Sequence, residues 1–230
     1  MTIPIAGAIR ESMTGHAQDY AAYEPLNTLK PLAGNLWIVD GPLLHWGYGG
    51  WKLPFPTRMT VVKLSNGDIW LHSPTHPDEA LVAEIEKLGP VKHLVSPNQI
   101  HHVSLEPWSA CFPEARVWAS PGVRKRSSVA FTDDLGDAAP PEWDMDIGQR
   151  IARGSFAMEE VVFFHKASHT LILADLIENY EMSRLKGWFN RLMVRIARVN
   201  DARPPIDFQL SFLGSKAKFR TTVEWMLDCK

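Results

Sequence analysis

The sequence predicts an α/β (α+β) chain built as an αββα sandwich, and three observations carry that prediction. Short apolar strands follow one another between Asn35 and His72, with the hairpin signal Asn66-Gly67 between two of them. Helical and strand patterns then alternate from Asp78 to Ser120. Strands return at Ile147–Arg153, Glu160–His165 and Thr170–Leu176, and further helical stretches follow them.

Residues 1–20 show little periodicity and read as a loose arm, and 21–230 read as one domain. Asn35–Asp40, Met59–Leu64 and Asp68–His72 are the first strands. GYGGWKLPFP at 47–56 reads as an irregular loop because glycine and proline dominate it. Asp78–Leu88 has apolar residues at helical spacing and stops at Gly89-Pro90. His93–Ser96 and Val117–Ser120 are short strands with a helix near Leu105–Cys111 between them, and His93 reads as a strand-edge residue. Residues 132–146, rich in Asp, Ala and Pro, read as a loop. A helical excursion near 180–199 and a last helix near Lys216–Leu227 complete the chain.

Composition excludes several classes of protein. Hydrophobic residues at 45% and charged ones at 22% are ordinary for a soluble globular domain, and a net charge of −2 argues against nucleic-acid binding. No leader pattern and no apolar run long enough for a membrane span is present. The two cysteines, Cys111 and Cys229, form neither a disulfide framework nor a CxxC zinc pair, so both are expected reduced, in a cytoplasmic setting. Nine tryptophans are read as packing around a sheet. A ligand-stacking cluster at Trp46–Trp51 is the sharper alternative.

Two segments carry candidate chemistry. VVFFHKASHTLILADL, at 161–176, sets two apolar strands around a polar turn and ends in Asp175. A carboxylate at the end of a buried strand is costly unless it is paired, solvated or metal-bound. SPNQIHH at 96–102 supplies the imidazole pair His101-His102.

The layout and the phrases YEPLNTLKPLA, LPFPTRMTVVKLS and FFHKASHTLILADL resemble the metallo-β-lactamase superfamily, within it a branch that is a domain of unknown function with a degenerate metal site. Intact members of that superfamily bind two metals through a THxHxDH loop, a histidine in a GHT-like turn, a strand-ending aspartate and a final histidine. In this sequence Ser96 falls at the threonine and His102 at the last histidine of the loop. His101 replaces the aspartate, and Pro97 and Gln99 replace the first two histidines. Asp175 fits the strand-ending acid. Gly154-Ser155 falls at the GHT-like turn, and no histidine follows His169. A binuclear zinc centre is therefore not expected.

The resemblance leaves two readings open. In the first, the chain is a hydrolase with a reduced site, one-metal or vestigial, acting on a small ester- or thioester-type substrate. His101, His102, Asp175 and Glu160 would hold one divalent metal (Zn, Mn or Fe), and Asn98, Ser155 and His72 would contact substrate. Glu160 enters through register: if Lys166–His169 is the turn, His165 pairs with Thr170 and Asp175 comes opposite Glu160. In the second, no metal binds and the protein is a non-catalytic pseudo-hydrolase that binds a ligand, a partner or a membrane surface.

The helix at 180–199 offers the means for that last role. Its apolar stripe (Leu185, Trp188, Phe189, Leu192, Met193, Ile196, Val199) is expected to pack on the sandwich, with Arg184, Arg191, Arg195 and Arg198 on another face. Peripheral membrane contact through that basic face is the alternative. The sequence stops at Lys230, where relatives of the branch continue into a strand and a histidine. Either the sandwich lacks its last strand, leaving an edge suited to a homodimer, or the sequence is a fragment.

Overall fold

The computed structural model describes residues 19–46 and 52–229. Among these residues ten strands form two sheets. The first sheet runs in sequence order: β1 (Lys30–Ala33), β2 (Leu36–Trp46), β3 (Leu53–Lys63), β4 (Ile69–His72), β5 (Val91–Val95), β6 (Arg116–Ala119) and β7 (Asp133–Asp134). Pairing is antiparallel as far as β4 and parallel from β4 to β7. The second sheet has the order β10 (Thr170–Ile172), β9 (Glu160–His165), β8 (Ile147–Ala152), all antiparallel. The helices are α1 (Glu79–Glu86), α2 (Leu105–Cys111), α3 (Trp188–Ala197), α4 (Ile206–Ser211) and α5 (Lys216–Asp228).

Alternation along the central strands explains the layering. Val62, Trp70, Val95 and Trp118 face the second sheet and meet Ile151, Val161 and Phe163. Their neighbours Val61, Leu71, Leu94 and Val117 face the other way, against Leu81 and Ile85 of α1 and Leu105 and Trp108 of α2. The outer face of the second sheet, through Ala152 and Val162, packs on Phe208 of α4 and Trp225 of α5. Four layers result, and the αββα sandwich expected from the sequence is present.

Tryptophan packing holds the middle of the sandwich. Trp143 lies edge-on to Trp118, His93 and Trp70, at centroid separations of 4.5, 5.0 and 6.2 Å. His93 is buried rather than at a strand edge, and its Nδ1 accepts the Trp118 indole N–H at 3.2 Å. The alternative cluster at Trp46–Trp51 lies outside the described side chains. Cys111 and Cys229 are free thiols.

Several boundaries differ from the sequence reading. Leu53–Pro56 belong to β3 rather than to a loop, and pair with Leu43–Trp46. Pro54 and Pro56 are tolerated there because β4 pairs only with Thr60–Lys63, which leaves that edge of β3 outside the second ladder. The stretch 132–146 is not all loop: Asp133–Asp134 adds a short parallel strand beside Trp118 and Ala119. The last strand closes at Ile172 instead of Leu176, because the following amides turn to a side chain. The excursion near 180–199 is helical only over Trp188–Ala197, and its start is set by Gly187 at φ 81°. Of the expected arm, residues 1–18 lie outside the described residues, while Tyr20 is buried and bridges to Leu185.

Two buried histidines tie stability to pH. Burial, and then the charge of His101, pushes the His72 pKa down to about 3; burial pushes His93 down to about 4. Both stay neutral when folded, whereas in the unfolded chain they take up protons below about pH 6.5. Their contribution is thus complete at pH 7 and is lost as pH falls toward 4. Each should cost on the order of 2 kcal/mol at pH 5. The melting temperature is expected to drop between pH 7 and pH 5, with a smaller drop in His93→Phe.

Candidate active site

The parallel strands β4, β5 and β6 all end at one edge of the first sheet, where α/β sheets place ligands. Ser73 follows β4, and Ser96-Pro97-Asn98 follows β5 and meets the start of β9. Asn98 forms an isolated antiparallel bridge with Glu160, and the Val161 amide donates to the Pro97 carbonyl at 2.8 Å.

Glu160 organises this corner. Its side chain is fully buried at the start of β9. Oε1 accepts the Ala174 amide at 2.9 Å; Oε2 accepts those of Asp175 and Leu176 at 2.7 and 3.1 Å. Three successive N–H groups therefore close on one carboxylate, an anion nest made from backbone. Asn98 Nδ2 adds a bond to Glu160 Oε2 at 3.1 Å and another to Asp175 Oδ2 at 2.7 Å. The Asn98 amide is oriented in turn, since its Oδ1 accepts the Ile100 amide at 3.0 Å.

His101 completes the arrangement. Its Nε2 lies 3.1 Å from Asp175 Oδ2, and its Nδ1 lies 2.5 Å from the hydroxyl of Ser73. Both side chains of the pair keep about a quarter of their surface exposed, 27% for His101 and 24% for Asp175. Burial works against the imidazolium, but the Asp175 charge and hydrogen bond, with Glu160 and Glu178 beyond, outweigh it and raise the His101 pKa. At Asp175 burial is likewise overcome, by the His101 charge and the bonds from His101 and Asn98, so its carboxyl stays below the usual range. Glu160 moves upward, by burial first and the Asp175 charge second.

The residues singled out in the sequence divide into two groups. His101, Asp175, Glu160 and Asn98 come together, whereas His72, expected to contact substrate, is buried against Trp70 and Phe163. His102 shares in none of these bonds; its carbonyl accepts the Leu105 amide at the start of α2. Ser155 is a turn residue: its hydroxyl meets that of Ser211 at 2.7 Å and accepts the Ala157 and Met158 amides, both at 3.1 Å.

Two groups were missed. Ser73 had no motif around it. Glu178, three residues past Asp175, is pushed up to about 8 by burial first, then by Asp175, Asp207 and Glu160.

The set does not fit a metal. Both Glu160 oxygens are already taken by N–H donors, and each His101 nitrogen has a partner. An amide nitrogen of Asn98 points at the two carboxylates, where a cation would need a lone pair. Among the described residues no group of three or more His, Cys, Asp or Glu side chains is arranged to hold an ion.

The profile of a domain of unknown function (DUF4336) matches residues 47–186. The chain belongs to this family. No curated protein matches the sequence. Among solved structures, the DUF4336 chain is similar to a metallo-β-lactamase from Pontibacter korlensis, with TM-score 0.53, 14% identity, and 82% of this chain and 99% of that one covered. The DIM-1 metallo-β-lactamase gives TM-score 0.53 at 14% identity, over 85% and 97% of the two chains. FIM-1 from Pseudomonas aeruginosa, solved in a mono-zinc form, gives 0.51 at 13%, over 83% and 96%. The DUF4336 domain therefore has the metallo-β-lactamase fold, a scaffold known in hydrolases.

Glu160→Gln tests the nest. An amide can offer one acceptor oxygen but turns an N–H toward the remaining backbone donors. The variant should lose about 2–4 kcal/mol in urea denaturation, with Ser155→Ala costing less.

Proposed function

We propose that this chain is a hydrolase of small ester- or thioester-type substrates in which Ser73, not a metal-bound water, attacks the acyl carbon. One observation carries the reading: the continuous path from Ser73 Oγ to His101 Nδ1 at 2.5 Å and from His101 Nε2 to Asp175 Oδ2 at 3.1 Å. With Asp175 ionised, Nε2 carries the proton and donates, which leaves the Nδ1 lone pair for the serine hydroxyl. Nucleophile, base and orienting acid then stand in one line.

Backbone geometry supports the same role. Ser73 sits at the end of β4 with φ 51°, in the left-handed region that a non-glycine residue enters rarely and at a cost. A strained residue at the C-terminal end of a strand is how a hydroxyl is lifted out of a sheet toward substrate. Its own amide donates to the Val95 carbonyl at 2.9 Å, which fixes the turn.

The steps balance within these residues. The Ser73 proton passes to His101 Nδ1 as Oγ bonds to the acyl carbon. The imidazolium, held by Asp175, returns that proton to the departing alkoxide or thiolate. Water then cleaves the acyl-serine by the same route. Asn98 acts as a positioning residue that holds Asp175.

The oxyanion donor limits the substrate class. Pro74 has no N–H, so the amide that follows the nucleophile in such elbows is missing. His72 on its other side is buried against Trp70 and Phe163, inside the sandwich. A site without that donor suits esters and thioesters, whose leaving groups depart easily, better than amides.

Hydrolysis of p-nitrophenyl acetate and a short acyl thioester, with fluorophosphonate labelling read by mass spectrometry, tests this. Label is expected on Ser73, with activity lost in Ser73→Ala and reduced about 10³–10⁴-fold in Asp175→Asn. Because the His101 pKa is raised, activity should climb with pH through a midpoint above about 6.5. Activity that survives Ser73→Ala, or that chelator abolishes and Zn²⁺ restores, would overturn the reading; no activity at all favours the non-catalytic alternative.

A further inference from the structure

Helix α3 faces the wrong way for a core helix. Val194 is its fully packed residue, buried with Leu185, Val199, Tyr20 and Tyr180. The apolar residues on the other side are open: Trp188 is 78% exposed, Ile196 58% and Leu192 43%. At 100° per residue these three span less than a quarter of the helix circumference. The stripe expected to pack on the sandwich therefore points outward in large part. A contiguous exposed apolar strip is a feature that calls for a partner.

Charge identifies the partner. Between Leu185 and Val199 the sequence LKGWFNRLMVRIARV has four basic residues, Lys186, Arg191, Arg195 and Arg198, and no acid, in a chain of net charge −2. Arg191 and Arg195 border the apolar strip along one side. Two copies packed strip to strip would bring these like charges together, whereas anionic lipid headgroups would neutralise them. Tryptophan at the start of the strip suits the boundary between headgroup and acyl chain. Among the described residues no helix is long and apolar enough to cross a membrane, and α3 has ten residues, so it would lie in the plane of the surface.

We infer that α3 docks the protein flat on an anionic lipid surface, with Trp188, Leu192 and Ile196 inserted and Arg195 on the headgroups. This stands independently of the hydrolase reading, because none of these residues touches the Ser73–His101–Asp175 path.

Co-sedimentation of the full chain with phosphatidylcholine vesicles, with and without 30% phosphatidylserine, tests it. Binding is expected only with phosphatidylserine, together with a blue shift of tryptophan emission, and it should weaken when salt is raised from about 50 to 500 mM. Arg195→Glu should weaken binding at least fivefold, the factor expected for one charge near an anionic surface. Leu192→Ser/Ile196→Ser should abolish binding, and unchanged circular dichroism and melting would show that the fold is intact. Equal binding to neutral vesicles, binding retained in the double variant, or a wild-type dimer in sedimentation velocity that the double variant dissolves would each refute the inference.

Discussion

The Glu160 carboxylate is the constraint on which the rest of this corner depends. A buried carboxyl is tolerated only if its lone pairs are filled, and here four N–H donors fill them. Three come from consecutive backbone amides, so the acid dictates where β10 stops and where Asp175 turns. The fourth comes from Asn98, which belongs to the other sheet's edge. One side chain thus fixes the join between the two sheets and the position of the acid that orients His101.

The same donors decide what the corner offers to a ligand. Positions where a cation would require lone pairs are occupied by N–H donors from Asn98 and the backbone. Asp175 is met by the His101 ring and by the Asn98 amide.

Much of this was legible in the chain. The FFHKASHT segment implied the pairing of His165 with Thr170, which is present, whereas Glu160 meets Asp175 through the turn after Ile172 and not through the expected strand register. The convergence of His101 on Asp175 came from family resemblance and holds in space. Ser73 was not visible, since a serine before a proline gives no hint of a positive φ or of a contact 28 residues away. Glu178 was missed because its upward shift comes from burial and from three other acids gathered by the fold. The prolines of β3 read as loop, since sequence does not say which edge of a strand is unpaired. For α3, periodicity reveals an amphipathic helix but not which of its faces meets the core.

The amide of Asn98 carries a consequence for the lifetime of the folded chain. Its nitrogen bridges two carboxylates, and its oxygen is committed to the Ile100 amide. Slow deamidation would place a third acid between two others, converting an attraction into a repulsion without changing the outline of the side chain. Chemical ageing at this one residue would remove a bridge between the two sheets and a support of Asp175 together.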